Sequence, residues 1–311
     1  MDKKLPIRLE YHGGTCVKKG LAKDGMNWHP RFGYHDKKVN IECINNLFTK
    51  KTKNIVFFGG SVMNNMETPN YLTSIEYYAF KDYMNQFRSI NFAISGSRLS
   101  NELSKFVEYI PKIKNIDLII FLDGINELHP LKYGGKPDED YYWTAGVKLR
   151  VHKPLYFLFD LIIDRSKLIE IVAIDIFNYK SSRIGRNITV NIESIEKSIE
   201  DYSYRKKVLN MLCDSLNLKC IFAIHPVFNS TEGLNSKNDA LIESYINKHF
   251  PNNKFYVEKG YELLRKENGV IDLSKIYKNK ENIFFDQAHT NKIGSEIMGK
   301  KLFEIISAQL K

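Results

Sequence analysis

The sequence predicts an α/β fold, a three-layer α/β/α sandwich with a central parallel sheet, and three observations indicate it. Several short segments are continuously apolar, as is typical of strands buried on both faces of a sheet. Amphipathic helical patterns lie between or after these segments, as expected where helices connect parallel strands. The chain has 311 residues, 43% hydrophobic and 26% charged, which is enough for one large core with an elaborated insertion.

Four apolar segments are predicted to be strands, at residues 54–58, 89–94, 117–122 and 219–224. A fifth strand is assigned to residues 270–273 in preference to residues 254–258. The predicted helices cover residues 66–86, 101–113, 195–216 and 290–310. Strands that alternate with helices imply right-handed crossovers, so the carboxyl ends of the strands meet at one edge of the sheet. Ligands of such sheets collect at that edge.

Two regions lie outside this pattern. Residues 1–50 are assigned as an N-terminal extension that precedes one domain over residues 51–311. Residues 131–191 form a connection too long for a compact domain, with apolar residues at roughly helical spacing. We therefore expect them to form an inserted helical lid or subdomain, whose role the sequence does not reveal.

Charge and composition restrict the partners. Lysine and arginine total 46 against 36 acidic residues, a formal net charge of +10. Nucleic acid, anionic lipid or acidic polysaccharide could each use such a charge. No long basic cluster is present, however, so we expect a solvated lysine-rich surface and no nucleic-acid partner. The most apolar stretch, residues 154–179, is interrupted by charged side chains and predicts no membrane span.

The cysteines and the N-terminus bear on the compartment. Cys16, Cys43, Cys213 and Cys220 form no Cys-x-x-Cys pair and have no adjacent histidine, so neither a zinc site nor a thioredoxin-type motif is supported. Reduced structural thiols are expected. No apolar run follows the basic N-terminal residues, so we expect a cytoplasmic location unless a leader was removed.

The first chemical motif is Gly59-Gly60-Ser61, which follows the first predicted strand. Two glycines allow a sharp turn and leave the serine hydroxyl and backbone N–H at a helix start, where negative charge is stabilised. Taken alone, Ser61 is more often a helix N-cap. A phosphate loop is the other alternative, but the spacing of its glycines and its lysine are missing.

Two further motifs follow the next two strands. Ser95-Gly96-Ser97 places a glycine just past the second strand, and Asp123-Gly124-Ile125-Asn126-Glu127 follows the third. The Asn126 amide and the backbone N–H groups of Ser61 and Gly96 could donate hydrogen bonds to an oxyanion. Ordinary turn chemistry is the alternative for Gly96.

The fourth motif, Asp286-Gln287-Ala288-His289, precedes the last predicted helix. An aspartate three residues before a histidine can accept the Nδ1 proton, which leaves Nε2 able to take a proton from a serine. In isolation, a loop aspartate and a capping histidine are the commoner explanation. A metal site would need more ligands than this pair supplies.

Together, the four motifs resemble the SGNH (GDSL-like) hydrolase family in identity, order and spacing, over residues 54 to 310 with the long connection as an insertion. The blocks that match are Gly59-Gly60-Ser61, Ser95-Gly96, Gly124-Ile125-Asn126-Glu127 and Asp286-Gln287-Ala288-His289. The resemblance implies a flavodoxin-like sandwich. It also implies a Ser61 nucleophile activated by His289 and Asp286, and an oxyanion hole made by Ser61, Gly96 and Asn126.

Two positions depart from the family pattern, and one further residue is expected near the site. Gly60 and Glu127 stand where the family usually has aspartate. Both neighbour the expected catalytic residues, so substrate positioning is expected to differ. His225, just past the fourth strand, is expected to line the cleft rather than to act as a second base.

The resemblance implies acyl transfer that needs no metal or organic cofactor. The preferred substrate is a small acyl ester, such as O-acetyl on a carbohydrate or cell-envelope glycan, with water or a sugar hydroxyl as acceptor. Lipid or thioester hydrolysis is the alternative if apolar residues 155–177 form an acyl channel. A non-catalytic binding protein that retains the fold is the third hypothesis. The oligomeric state stays open.

Overall fold

The computed structural model describes residues 16–19, 27–29, 33–35, 37–64, 74–94, 96–132, 191–234, 236–249 and 252–310. The predicted insertion at residues 131–191 therefore lies almost entirely outside the described residues. So do residues 1–15 of the predicted extension and residues 66–73 of the first predicted helix. Within the described part, no helix has the length and apolar character that crossing a membrane requires.

The described part of the N-terminal region contains two short antiparallel strand pairs and one helix. Strand β1 (Val17–Lys19) pairs with β4 (Lys37–Val39), and β2 (Asn27–His29) pairs with β3 (Gly33–His35). Helix α1 (Ile41–Leu47) follows, with the Asn40 side chain capping its N-terminus. Ile44 and Phe48 pack into the main core, so this region is joined to the domain by apolar burial. The division at residue 50 remains a prediction.

The centre of the domain is a five-stranded, all-parallel sheet in the order β6-β5-β7-β8-β9. Its inner strands β5, β7 and β8 are buried along almost their whole length, which explains why they read as continuous apolar segments. The strands are β5 (Lys53–Gly59), β6 (Phe87–Asn91), β7 (Leu118–Asp123), β8 (Cys220–Ile224) and β9 (Val270–Asp272). The predicted α/β sandwich with a parallel sheet is confirmed.

Helices cover both faces of this sheet. Those within the described residues are α2 (Ser61–Asn64), α3 (Ile75–Phe80), α4 (Leu99–Tyr109), α5 (Ile125–Lys132), α6 (Ile192–Ser215), α7 (Lys237–His249), α8 (Asn253–Leu264) and α9 (Lys292–Gln309). Alternate residues of the strands enter two separate cores. Phe58, Phe121 and Phe222 pack with α4, α6 and α8 on one face. Phe57 and Ile120 pack with α3 and α9 on the other.

Several predicted boundaries shift. The second strand lies at Phe87–Asn91 rather than residues 89–94. The helix predicted to reach residue 86 ends at Phe80, because the Tyr83 N–H bonds to the Phe80 carbonyl in a turn. The choice of residues 270–273 for the fifth strand is confirmed, since residues 254–258 lie inside α8.

All four cysteines are paired, so the expectation of reduced thiols is wrong. The Cys16–Cys43 disulfide connects the β1 region to α1, and Cys213–Cys220 connects the end of α6 to the start of β8. The Cα atoms of the two pairs are 5.3 and 6.2 Å apart, within the usual range for disulfides. These pairings depend on chain reversals that the cysteine spacing does not reveal.

Candidate active site

The three strand-end motifs meet at the carboxyl edge of the sheet. Ser61 begins α2 directly after β5, and Asn126 lies in the first turn of α5 after β7. Because β5 and β7 are adjacent and in register up to Gly59 and Leu122, these two residues emerge side by side. Gly96 follows β6 with a φ of 70°, a left-handed conformation that glycine adopts without strain. Ser95 lies outside the described residues.

The loop before α9 completes the arrangement. His289 Nε2 lies 2.6 Å from Ser61 Oγ, and His289 Nδ1 lies 2.7 Å from Asp286 Oδ2. An ionised carboxylate only accepts hydrogen bonds, so Nδ1 carries the proton and donates it to Asp286. Nε2 is then the acceptor for the Ser61 hydroxyl. The contact that the sequence predicted between Ser61 and His289 is therefore present, in the geometry that proton transfer needs.

The Asp286 carboxylate is held by a tight turn. Its Oδ1 accepts the backbone N–H groups of Ala288 and His289, each at 2.7 Å. Burial opposes the charge, but the hydrogen bonds and charge from His289 and these N–H groups together hold the pKa of Asp286 below its ordinary value. The Phe285 N–H bonds to the His289 carbonyl at 3.1 Å and closes the turn. The loop thus fixes an ionised partner behind the imidazole.

Asn126 presents its amide beside the serine loop. It is buried, and its Nδ2 donates one hydrogen to the Ser97 carbonyl at 2.9 Å, which leaves a second N–H on the same nitrogen. A Cβ on residue 60 would overlap Asn126 Nδ2. Glycine at position 60 therefore permits the amide to pack against the serine loop, which gives a physical reason for this departure from the family pattern.

Glu127 links the start of α4, just after Gly96, to the first turn of α5, which carries Asn126. Its Oε1 accepts the Leu99 N–H at 2.8 Å, and its Oε2 lies 3.6 Å from Arg98 Nε. Arg98 also contacts Asp201 of α6 at 3.4 Å. Burial raises the pKa of Glu127, although Arg98 and the Leu99 N–H oppose that shift. The second departure is thus a buried link between the starts of α4 and α5.

Sequence reasoning missed a pair of buried carboxyl groups behind the site. Asp123 ends β7 and Glu102 lies on α4, and both are buried. Burial, followed by the charge of neighbouring carboxylates, raises the pKa of Glu102 to about 8 and that of Asp123 well above its ordinary value. Within the described residues, no backbone or other side-chain donor bonds to their four oxygens. The buried Lys105 opposes the shift at Glu102. Two neighbouring buried carboxyls favour retention of a proton between them.

His225 does not line an open cleft, so that expectation is wrong. The side chain is 1% exposed, and its Nδ1 lies 3.0 Å from the Pro226 carbonyl. Burial lowers the pKa of His225 to about 4, so the ring is neutral near pH 7. Tyr261 donates its hydroxyl to the His225 carbonyl at 2.9 Å. His225 is therefore a packing residue under the strand ends.

Among the described residues, no group of three or more His, Cys, Asp or Glu side chains is arranged to hold a metal ion. The described side chains that converge on Ser61 include an imidazole with its ionised carboxylate partner and an amide. This set can activate a serine nucleophile and receive a developing oxyanion.

No protein-family model matches the sequence, and no curated protein is significantly similar to it. Similar solved structures include the acetyl xylan esterase AlAXEase, with 12% identity over 81% of this chain and 99% of that chain and a TM-score of 0.44. A GDSL-like lipase from Bacteroides thetaiotaomicron has 13% identity over 84% and 90%, with a TM-score of 0.43. The acetylxylan esterase Axe2 from Geobacillus stearothermophilus has 12% identity over 83% and 96%, with a TM-score of 0.40. Likenesses at this level assign no activity, so the chemistry depends on the residues of this chain.

Proposed function

We propose that this protein is a serine-dependent carboxylic ester hydrolase of SGNH type, or an O-acyltransferase that uses the same acyl-enzyme. One observation carries the proposal. Ser61 Oγ, His289 and Asp286 form a continuous hydrogen-bonded series, with contacts of 2.6 and 2.7 Å. In this role Ser61 is the nucleophile, His289 is the general base and then acid, and Asp286 holds the imidazole tautomer.

Acylation begins when Ser61 Oγ attacks the ester carbonyl carbon and its proton passes to His289 Nε2. The carbonyl oxygen becomes an oxyanion, which receives hydrogen bonds from the backbone N–H groups of Ser61 and Gly96 and from Asn126 Nδ2. As the first residue of α2, Ser61 has an N–H without a helical acceptor. Collapse breaks the bond to the alcohol oxygen, which takes the proton from Nε2 and departs.

Deacylation repeats these steps with a different nucleophile. Water, or the hydroxyl of a second alcohol, gives its proton to His289 Nε2 and attacks the acyl-enzyme carbonyl carbon. Collapse then breaks the bond to Ser61 Oγ, which recovers its proton from Nε2. Hydrolysis releases the carboxylic acid, and transfer releases a new ester. The Asp286 carboxylate stabilises the imidazolium in both halves of the reaction.

The proposed substrate is a small acyl ester, such as O-acetyl on a carbohydrate or cell-envelope glycan. This choice rests on the resemblance of the four sequence motifs, which is an analogy at the level of the family. The alternative of lipid or thioester hydrolysis depends on residues 155–177, which lie outside the described residues. The proposed lid at residues 131–191 is likewise outside them. Against a non-catalytic binding protein stands the retention of Ser61, Gly96, Asn126, Asp286 and His289 together.

The disulfides favour folding in an oxidising compartment rather than in the cytoplasm that the sequence led us to expect. Stable structural disulfides are rare where glutathione and thioredoxin keep thiols reduced. Both Cys16–Cys43 and Cys213–Cys220 are formed in the structure. Thiol titration of the unfolded, unreduced protein is expected to find no free cysteine. Four titratable thiols in protein isolated from its natural source would instead support the cytoplasm.

A p-nitrophenyl acetate assay tests the proposed function. We expect Ser61→Ala to lower turnover by about 10⁴-fold or more, and Asn126→Ala by about 10²- to 10³-fold. Ser215→Ala, at the end of α6, is the matched serine control and is expected to keep wild-type turnover. Circular dichroism of each variant checks the fold. Retention of activity in folded Ser61→Ala would refute the serine mechanism.

A further inference from the structure

Phe285 differs from its apolar neighbours in being open to solvent. The preceding Ile283 and Phe284 are 2% and 1% exposed, whereas Phe285 is 39% exposed. Single exposed apolar residues are common and need no special explanation. The position of this ring is the informative feature, because it stacks on His289 with centroids 5.8 Å apart and planes 12° apart.

The backbone beneath Phe285 is firmly held. The adjoining Phe284 forms a β-bridge with Thr290 and packs edge-on against Phe228 and Tyr277. Its carbonyl accepts a hydrogen bond from Asn238 Nδ2 at 3.2 Å. The Phe285 N–H bonds to the His289 carbonyl at 3.1 Å. The ring is therefore presented beside the imidazole by a fixed turn.

The chemistry of the proposed function indicates what this ring meets. His289 Nε2 must protonate the departing alcohol oxygen, so the alcohol part of the ester has to lie next to the imidazole when the tetrahedral intermediate collapses. The oxyanion has to point instead toward the amide of Asn126 and the N–H of Gly96. A ring stacked on His289 consequently borders the alcohol side of the substrate.

We propose that Phe285 is a specificity-determining residue that packs against the alcohol part of the ester, which is a sugar ring in the proposed substrate. This inference rests on the proposed function. The face of an aromatic ring carries partial negative charge, and the C–H groups on one face of a pyranose carry partial positive charge. The acceptor alcohol in a transfer reaction enters where the leaving alcohol departs. Phe285 therefore also favours a sugar hydroxyl over water as acceptor.

The test compares acetate esters that share the acyl group and differ in the alcohol. For Phe285→Ala, kcat/KM on an acetylated methyl pyranoside is expected to fall about 3- to 10-fold, as for the loss of one aromatic contact. The kcat/KM on ethyl acetate is expected to remain at the wild-type value, because its alcohol is too small to cover the ring. Phe285→Tyr, which retains the ring, should keep kcat/KM on the sugar ester near the wild-type value. Phe255→Ala, an exposed phenylalanine on α8, is the matched control.

A second measurement separates substrate contact from support of the imidazole. Every acetate ester gives the same acetyl-enzyme, which no longer contains the alcohol that Phe285 is proposed to contact. The rate of acetyl-enzyme hydrolysis after the initial burst is therefore expected to be unchanged in Phe285→Ala. Equal losses on both esters, slower hydrolysis of the acetyl-enzyme, or no change on either ester would overturn the proposal. The Ser61→Ala result tests the proposed function separately. An absence of Ser61-dependent turnover on every ester would refute both the proposed function and the role of Phe285.

Discussion

The carboxyl group of the Asp286–His289 loop and those behind the strand ends differ in charge, although both sets lie near the same edge of the sheet. Asp286 is partly exposed and accepts hydrogen bonds from His289 Nδ1 and from two backbone N–H groups. Its pKa lies below the ordinary value. Asp123 and Glu102 are buried without comparable donors among the described residues, and their pKa values are raised.

This difference shows that the supply of donors, rather than burial alone, decides which carboxyl carries charge. Burial acts against ionisation in all three groups. Only at Asp286 do hydrogen bonds outweigh it. The Asp286–His289 loop thus keeps a negative charge beside the imidazole, while the buried Asp123–Glu102 pair retains a proton.

The largest expected effect comes from comparing the same substitution, aspartate to asparagine, at Asp286 and at Asp123. Asp286→Asn should lower kcat by about 10⁴-fold, because an amide in place of the carboxylate no longer fixes the His289 tautomer. Asp123→Asn should keep kcat within about 2-fold, because a protonated carboxyl and an amide are similar in size and charge. Steady-state kinetics on p-nitrophenyl acetate compares them. Similar losses in both variants would contradict the assignment of opposite charge states.

A smaller effect concerns stability and pH. Glu102 keeps its proton up to about pH 8 in the folded chain, against an ordinary pKa of 4.5. The folded state therefore binds more protons than the unfolded state between these values, and its stability falls as the pH rises through them. We expect the wild type to lose roughly 3 to 5 kcal/mol from this group between pH 5 and pH 9.

Urea unfolding at the two pH values measures this loss. The double variant Glu102→Gln/Asp123→Asn cannot release the shared proton, so most of the decline should disappear. Glu193→Gln, which removes an exposed carboxylate on α6, is the control and should decline as the wild type does. An equal decline in the double variant would show that the buried pair is ionised in the folded protein.

The contacts among Ser61, His289 and Asp286 could be predicted because the motifs that supply them are local in sequence. Ser61 and Asn126 each follow a strand that is recognisable from its apolar residues, and Asp286 and His289 are three residues apart. The parallel topology then brings these parts together. Four of the five strands begin and end within one residue of the prediction, whereas the second begins two and ends three residues earlier.

The buried charge could not be predicted because it depends on packing between helices. Glu102 and Lys105 lie on the face of α4 that also buries Leu99 and Phe106. A charged residue on an apolar helix face was the signal available in the sequence. That signal alone does not predict a raised pKa. The prediction also needs the position of Asp123 at the end of β7 and the burial that Tyr202 of α6 contributes.

The disulfides and helices α7 and α8, which are absent from the predicted helices, have a similar explanation. Cys213 and Cys220 are separated by a reversal of the chain between α6 and β8, which spacing alone does not locate. Helix α7 exposes Leu241 and Tyr245 and buries Ile242 and Ile246, so its apolar residues form no single face. Helix α8 has Phe255, Tyr256 and Val257 near its start, and aromatic and β-branched residues also favour strands. Residues 254–258 could be read as a strand for the same reason. Tertiary packing decides these segments.

The most direct test of the central claim is covalent labelling of the native protein with a fluorophosphonate probe, followed by peptide mass spectrometry. We expect one adduct, on Ser61, because the hydrogen bond to His289 makes this hydroxyl nucleophilic. Labelling should be lost after unfolding and strongly slowed in His289→Ala. Labelling of another residue, or an equal rate in wild type and His289→Ala, would contradict a Ser61 nucleophile activated by His289.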